Sequence, residues 1–280
     1  EKYRQIPQAN VIQPRFKPKP VQLKSLVKSR LHRYRARNFE VTEILSNVVG
    51  RDDPPAPAAT LSVEVIADLV CPFCFIGKRR LNEALKAVQG PTAVSWYPYQ
   101  LNPTMPEDGM TFDDYLTQRF GSPAAVAPVL EYLESEGQSV GIDFRFDLLQ
   151  HVPNTLPLHQ LLQSAEARGV NQSALAEDLM SAFFEGGINI GKRAQLIDIA
   201  RPHGLSTADV SEAVNSDKLR HVVVAREAQV RKTGLAGVPG FLMNRRLLLV
   251  GAQGTDKIIN AFDHAMFGEG ADAIESPALH

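Results

Sequence analysis

The stretch DLVCPFCFIGKRRL, from Asp68 to Leu81, holds the only two cysteines of the chain, Cys71 and Cys74. Three roles suit such a pair. Zinc takes four ligands, and two sulfurs would need two more from His, Asp or Glu. The seven histidines show no close-spaced pair to supply them. The cysteines also suit a buried, inert role, because free cysteine packs as a small hydrophobe. The third role is redox. At the start of a helix the first sulfur meets unpaired N–H groups and the positive end of the dipole, which favour a thiolate. The second sulfur lies one turn on. It can attack a mixed disulfide at the first and release the bound partner, as thiol–disulfide exchange requires. Pro72 and Phe73, between the sulfurs, bring no charge. Spacing alone leaves exchange and an inert pair both standing.

The elements around the pair give it a frame. LSVEVIADL (61–69) alternates and is rich in Val and Ile, so it predicts a strand. Cys71 to Val88 predicts a helix, with Pro72 at its first position, where a missing N–H costs nothing. AVSWYPYQL (93–101) predicts a second strand, parallel to the first because a helix separates them. From Thr111 to about Lys232 the pattern is helical, with turns at GSP, HVPN, ARGV and RPHG. VPGFLMN and RRLLLVGA (238–252) predict two strands joined by a tight turn. TDKIINAFDHAMF (255–267) predicts a closing helix with Thr255 as its N-cap. This order is an α/β thioredoxin fold with a helical domain inserted after the second strand.

Several of these segments together resemble the DsbA-like thioredoxin-fold family, in its FrnE-like branch. The resemblance is carried by DLVCPFCFIGKRRLNEAL, VSWYPYQLNPTMPEDG, NTLPLHQLLQSAEARG, LMSAFFEGGINIGKRAQLIDIA and KTGLAGVPGFLMNRRLLLVGAQG, in that order. It covers about residues 61–268. It implies a thiol–disulfide oxidoreductase with Cys71 as nucleophile and Cys74 as resolving thiol. It also implies that Val238–Pro239 is a cis dipeptide facing the cysteines, where its backbone can pair with an extended substrate. Pro72, Phe73 and Val238 would then line the substrate site. Asp68 matches an acidic position of the family and would accept or relay the Cys74 proton; the plainer role for it is a turn residue at the strand end. One residue departs from the family pattern. Gly240 follows the proline where a Thr or bulky apolar residue is expected, which would slacken the loop. Kappa-class glutathione transferases and 2-hydroxychromene-2-carboxylate isomerase share the architecture but carry Ser at the first motif position. Cys71 and Cys74 favour disulfide chemistry with a protein or low-molecular-weight thiol. No cofactor beyond the redox-active disulfide is implied, with glutathione left open as a thiol partner.

Two motifs look functional and are read as structural. GGINIGKR (186–193) nearly spells a P-loop, but Arg193 stands where Ser or Thr would hold magnesium, and both flanks are helical. NQS (171–173) is a glycosylation sequon by pattern and reads as a helix-starting loop.

Composition sets the outer bounds. The chain has 280 residues, 44% hydrophobic and 22% charged, enough for one globular domain and some extra chain. Two cysteines make no disulfide framework, so a reducing compartment is the default. No secretory signal or apolar run of the ~18 residues needed to span a membrane is legible. The expected location is the mitochondrial matrix or cytoplasm rather than the exterior. The formal net charge of -1 hides a split. Residues 1–60 carry 12 Lys+Arg against 5 Asp+Glu, and residues 61–280 carry 18 against 26.

That split divides the chain into a basic arm with a Pro-rich linker (1–59), the thioredoxin domain (60–270, with its helical insertion at about 110–232) and a loose tail (271–280). Within the arm, residues 21–46 have a partial apolar stripe and a basic face of Lys24, Lys28, Arg30, Arg33, Arg35 and Arg37. Such a face suits RNA phosphates, where each neutralised phosphate releases counterions, or an acidic protein. A second function follows from it: a thioredoxin-fold subunit of a large organellar assembly, such as a mitochondrial ribosome. Residues 1–58 would hold it to rRNA or an acidic protein, with redox activity secondary or lost.

Overall fold

The structure, a computed structural model, describes residues 61–121, 123–235 and 237–268. Strand β1 (Leu61–Ala67) runs through the middle of a four-stranded sheet of order β2-β1-β5-β6. Its place follows from its residues. Leu61, Val63, Val65 and Ala67 bury on one face and Ile66 on the other, so both faces need cover. β2 (Thr92–Pro98) pairs parallel to it, across the crossover helix α1 (Pro72–Leu85). β5 (Gly240–Met243) pairs antiparallel on the other side, and β6 (Leu247–Val250) closes the sheet. The closing helix α9 (Thr255–Phe267) packs against α1 over the first face.

The insertion lies between β2 and β5. It runs through α2 (Phe112–Phe120), α3 (Pro123–Gln138), α4 (Leu156–Ala167), α5 (Gln172–Phe184), α6 (Arg193–Ala200), α7 (Thr207–Asn215) and α8 (Asp217–Lys232). The last of these returns to the sheet. Val230 joins Ile66, Tyr99, Leu235, Leu242 and Leu248 in a small core on the second face. GGINIGKR falls between α5 and α6 as a helix–helix turn. Asn171 of the NQS triplet is the N-cap of α5, where its side chain accepts from the Ala174 N–H.

The observed elements differ from the expected ones in several places. β1 ends at Ala67 and β2 at Pro98, each short of the stretch expected for it. α1 ends at Leu85, not Val88, because Lys86, Ala87 and Val88 bond back three residues and tighten the last turn. β3 (Met110–Thr111) pairs antiparallel with β4 (His151–Val152), so the HVPN turn contains a short strand. Two residues carry too little periodicity to reveal it. Thr255 is not the cap of α9. Gly254 takes that place, and its carbonyl receives the Lys257 and Ile258 N–H groups. Gly240 is not in the loop but opens β5, paired with Ile66 on one side and Val250 on the other. The ladder holds the backbone that a lone glycine was expected to loosen.

Helix α1 is fixed on two sides. Phe75 stacks on Phe184, 6.0 Å between centroids, and meets Phe144 edge-on at 6.2 Å, tying α1 to the insertion. Lys78, 2% exposed, pairs with Glu177 of α5, which also pairs with Arg79. Arg80 bonds Glu136 of α3 at 2.7 Å. The cysteine-bearing helix is therefore wedged between sheet and insertion.

Candidate active site

The chain leaves β1 at Ala67, and Asp68 makes the turn: its carbonyl accepts the Cys71 N–H at 3.3 Å. Cys71 is the N-cap of α1, with extended φ and ψ of -99° and 112°, and Pro72 follows inside the first turn. The first-turn N–H groups of Cys74 and Phe75 both donate to the Cys71 carbonyl, at 3.0 and 3.2 Å. Pro72 has no N–H to satisfy, and no side chain caps the turn.

Both thiols are free and nearly closed off: Cys71 is 4% exposed and Cys74 1%. Burial pushes the Cys74 thiol well above its ordinary range. Its hydrogen bond with Cys71 and the Cys71 charge add to this, while a hydrogen bond from the Asp68 backbone opposes it. The Cys74 thiol is therefore protonated at neutral pH. Phe73, between them, is 37% exposed and leans toward Tyr132 of α3, 6.5 Å between ring centroids. The site has a closed sulfur pair with an open aromatic edge.

Asp68 is fully buried. Its Oδ2 accepts the Leu101 N–H at 2.7 Å, just past the end of β2. Its Oδ1 faces His159 Nε2 of α4 at 3.5 Å, also buried. The 99–101 segment is fixed from the far side. Glu227 of α8 accepts the Gln100 N–H at 2.9 Å, and Arg231 lies over the Tyr99 ring at 4.3 Å. Tyr115 of α2 feels the charges of both Cys71 and Asp68, and burial is the main cause that raises its hydroxyl. His159 and Tyr115 come from the insertion, so part of the site is built by residues about 40 to 90 positions from the motif, the equivalent of roughly ten to twenty-five helical turns.

The Val238–Pro239 bond is cis. Pro239 is buried and Val238 half-buried. The Pro239 carbonyl accepts the Gly251 N–H at 2.7 Å, which ties the loop to the chain after β6. A Cβ on Gly77 would lie 2.8 Å from Pro239 Cγ and 3.1 Å from Phe241 Cζ. The glycine therefore lets the loop close directly on α1, one turn beyond Cys74. Cys71, Cys74, Asp68, Pro72, Phe73, Val238 and Pro239 thus lie along one helix, the turn before it and the loop against it. Lys24, Lys28, Arg30, Arg33, Arg35 and Arg37 lie outside the described residues.

His159, Tyr115, Leu101 and Gly77 were not legible as site residues. His159 had one signal, its place in NTLPLHQLL, but a histidine weighed only for metal spacing gives no hint of a carboxylate partner. Among the described residues no group of three or more His, Cys, Asp or Glu is arranged to hold a metal ion, and no helix is long and apolar enough to cross a membrane.

The family profile described as DSBA-like thioredoxin domain matches residues 62–263. The uncharacterized protein YwbO of Bacillus subtilis is 25% identical over 198 residues, 70% of this chain and 93% of that protein. The crystal structure of a probable DsbA oxidoreductase from Streptomyces coelicolor superposes with a TM-score of 0.67 at 25% identity, covering 78% of this chain and 95% of that one. The cytosolic disulfide reductase DsbM from Pseudomonas aeruginosa shares the fold, with a TM-score of 0.52 at 19% identity over 73% of this chain and 95% of its own.

Proposed function

Because the chain belongs to the DSBA-like thioredoxin domain family, we propose that it exchanges thiols and disulfides through Cys71 and Cys74. The observation that carries this is the unequal environment of the two sulfurs. Cys71 sits at the helix start beside an exposed aromatic edge, while Cys74 is deeper and held protonated. An attacking thiolate forms from the sulfur that a partner can reach, and a resolving thiol waits behind it.

In the reducing direction the Cys71 thiolate attacks one sulfur of a substrate disulfide. That bond breaks, a mixed disulfide forms, and the other substrate sulfur leaves as thiolate. Cys74 then loses its proton and attacks Cys71. The mixed disulfide breaks, the Cys71–Cys74 bond forms, and two electrons have passed to the substrate. Oxidation runs through the same mixed disulfide in reverse. The Asp68 carboxylate, buried on the turn just before Cys71, is the proton acceptor for Cys74. Val238, beside the cis bond, offers its backbone to an extended substrate.

The substrate class is a protein disulfide or a small thiol such as glutathione. The exposed Phe73–Tyr132 edge favours a peptide, since an apolar substrate side chain can cover it. Replacing Phe73 by alanine is expected to raise KM for a disulfide peptide by roughly tenfold, the equivalent of about 1.4 kcal/mol of lost contact. The rate with a small aliphatic disulfide should stay within about twofold. Equal effects on both substrates would remove the peptide assignment.

A second reading rests on the charge of the N-terminal sequence, 12 Lys+Arg against 5 Asp+Glu over residues 1–60. Such a segment can hold the chain to RNA, including organellar rRNA, whatever the domain does. Sedimentation of the full chain with an RNA-containing particle, lost on RNase treatment and on removal of residues 1–58, is the expected outcome. Co-sedimentation that survives RNase points instead to an acidic protein.

A further inference from the structure

Behind the cysteine pair lie two buried titratable side chains whose facing atoms have no hydrogen-bond partner. Asp68 Oδ1 and His159 Nε2 face each other at 3.5 Å, and both side chains are at least 97% enclosed. Burying a carboxylate beside an imidazole with neither facing atom satisfied is costly. The rest of the site is held firmly, so the arrangement is not slack. Asp68 Oδ2 is fixed by the Leu101 N–H at 2.7 Å. His159 is fixed by the helix around it. Its N–H donates to the Thr155 carbonyl at 3.0 Å, and the next residue, Gln160, donates to the Ala213 and Ser216 carbonyls. Before it, Asn154 bonds the Met105 carbonyl at 2.7 Å and receives the Leu156 N–H at 2.9 Å. α4 is thereby clamped at its start and along its side, with His159 aimed at Asp68.

We propose that His159 is a positioning residue for Asp68, its Nε2 sharing the proton that Asp68 Oδ1 takes from the Cys74 thiol during resolution of the mixed disulfide. The proposal rests on the thiol–disulfide exchange described above. The chemistry requires some such acceptor. Cys74 cannot attack as a thiol, burial holds its proton on, and a thiolate formed there would lie beside a buried carboxylate. With Oδ2 engaged, Oδ1 is the free face of that carboxylate. The Cys74 proton moves to Oδ1 and is shared with Nε2. The Cys74 sulfur bonds to Cys71, and the Cys71–substrate bond breaks. The electron pair leaves on the substrate sulfur. The buried carboxylate then faces a protonated imidazole rather than a second anion, which is the favourable pairing in a low-dielectric interior. The first attack, by Cys71, involves no proton from Cys74 and so no need of His159.

That asymmetry gives the test. The reduced full-length protein is mixed with one equivalent of dithiobis(nitrobenzoate). Attack by Cys71 releases the first thionitrobenzoate, and resolution by Cys74 releases the second. His159→Leu is expected to slow the second release by roughly tenfold or more, within the range of a lost acid–base contribution, and to leave the first within about twofold. His159→Gln keeps a polar side chain of similar reach but cannot take a proton, and should slow the second release to a similar degree. Asp68→Asn should do the same, and combining it with His159→Leu should add little, because the two act as a unit. A second release at the wild-type rate in His159→Leu overturns the inference and leaves the exchange reading intact. So does recovery of the wild-type rate in His159→Gln, which would make the role a hydrogen bond only. Slowing of both releases together, with a lowered melting temperature, reduces His159 to a structural residue. Absence of any release from the wild-type protein removes the exchange reading itself and this inference with it.

Discussion

A Cys71→Ser variant is expected to lose disulfide exchange by on the order of a thousandfold or more, while Cys74→Ser keeps the first attack and stalls after it. The reason is chemical. The thiolate is the nucleophile, and a hydroxyl at the same place does not ionise near neutral pH. Cys71 and Cys74 stand at the start of one helix, with the Cys74 thiol hydrogen-bonded to the Cys71 sulfur and buried behind it, so the two have different environments. With Cys74 replaced, the mixed disulfide at Cys71 has no internal thiol to resolve it. Intact-mass measurement after mixing with a disulfide peptide should show one peptide per chain for Cys74→Ser and none for Cys71→Ser. A peptide adduct on Cys71→Ser, carried by Cys74, would invert the assignment of nucleophile and resolving thiol. Equal adducts on both variants would mean that the pair is two ordinary thiols.

The second large effect is on stability. Lys78 is buried to 2% exposure with Glu177 as its counter-charge, and burial, the main cause, lowers its ammonium from the ordinary value, with Glu177 opposing the shift. Removing one member of such a pair leaves an uncompensated buried charge, at a cost of roughly 3–5 kcal/mol. Glu177→Gln is therefore expected to lower unfolding free energy by about that amount in urea titrations at neutral pH. Glu177 is partly exposed, so the lower end of the range is expected. Lys78→Met should cost far less, because a long apolar side chain refills the space without a charge to satisfy. The sign of the pH dependence follows from the lowered ammonium. The unfolded chain holds that proton to higher pH than the folded one does, so this group makes stability rise as pH climbs toward about 10.5. The deficit of Glu177→Gln should accordingly shrink in alkaline buffer. A Glu177→Gln variant within 1 kcal/mol of wild type, on the scale of an exposed pair, would show that water already reaches the lysine. Because α1 carries the cysteines, the same measurement reports how firmly the insertion holds the site.

Much of the fold was legible in the sequence, and for local reasons. LSVEVIADL, the helix opened by Cys71-Pro72, and the two short strands at 238–252 carry their periodicity and punctuation within a few residues. The placing of the cysteine pair was legible for the same reason. Two cysteines three positions apart at a helix start share one turn whatever the rest of the chain does. The boundaries were less legible. Where α1 ends depends on three-residue back-bonds after Leu85, and β3 and β4 exist only because Met110 meets Val152 and Thr111 meets His151 across a gap of some forty residues, on the order of ten helical turns.

What the sequence determined by itself is the placing of two cysteines at a helix start, the order of elements and the separation of a basic N-terminal segment from an acidic remainder. What only the tertiary structure decided is the environment that makes the two sulfurs unequal. The burial of Cys74, the closure of Pro239 on Gly77, the ion pair that locks α1 to α5 and the approach of His159 to Asp68 are all contacts between residues far apart in the chain. No local pattern encodes them. Hydrophobic periodicity says which face of a helix is covered, and is silent on which distant side chain covers it. A histidine on the covered face of α4 looks like any other core residue until the fold sets a buried carboxylate in front of it.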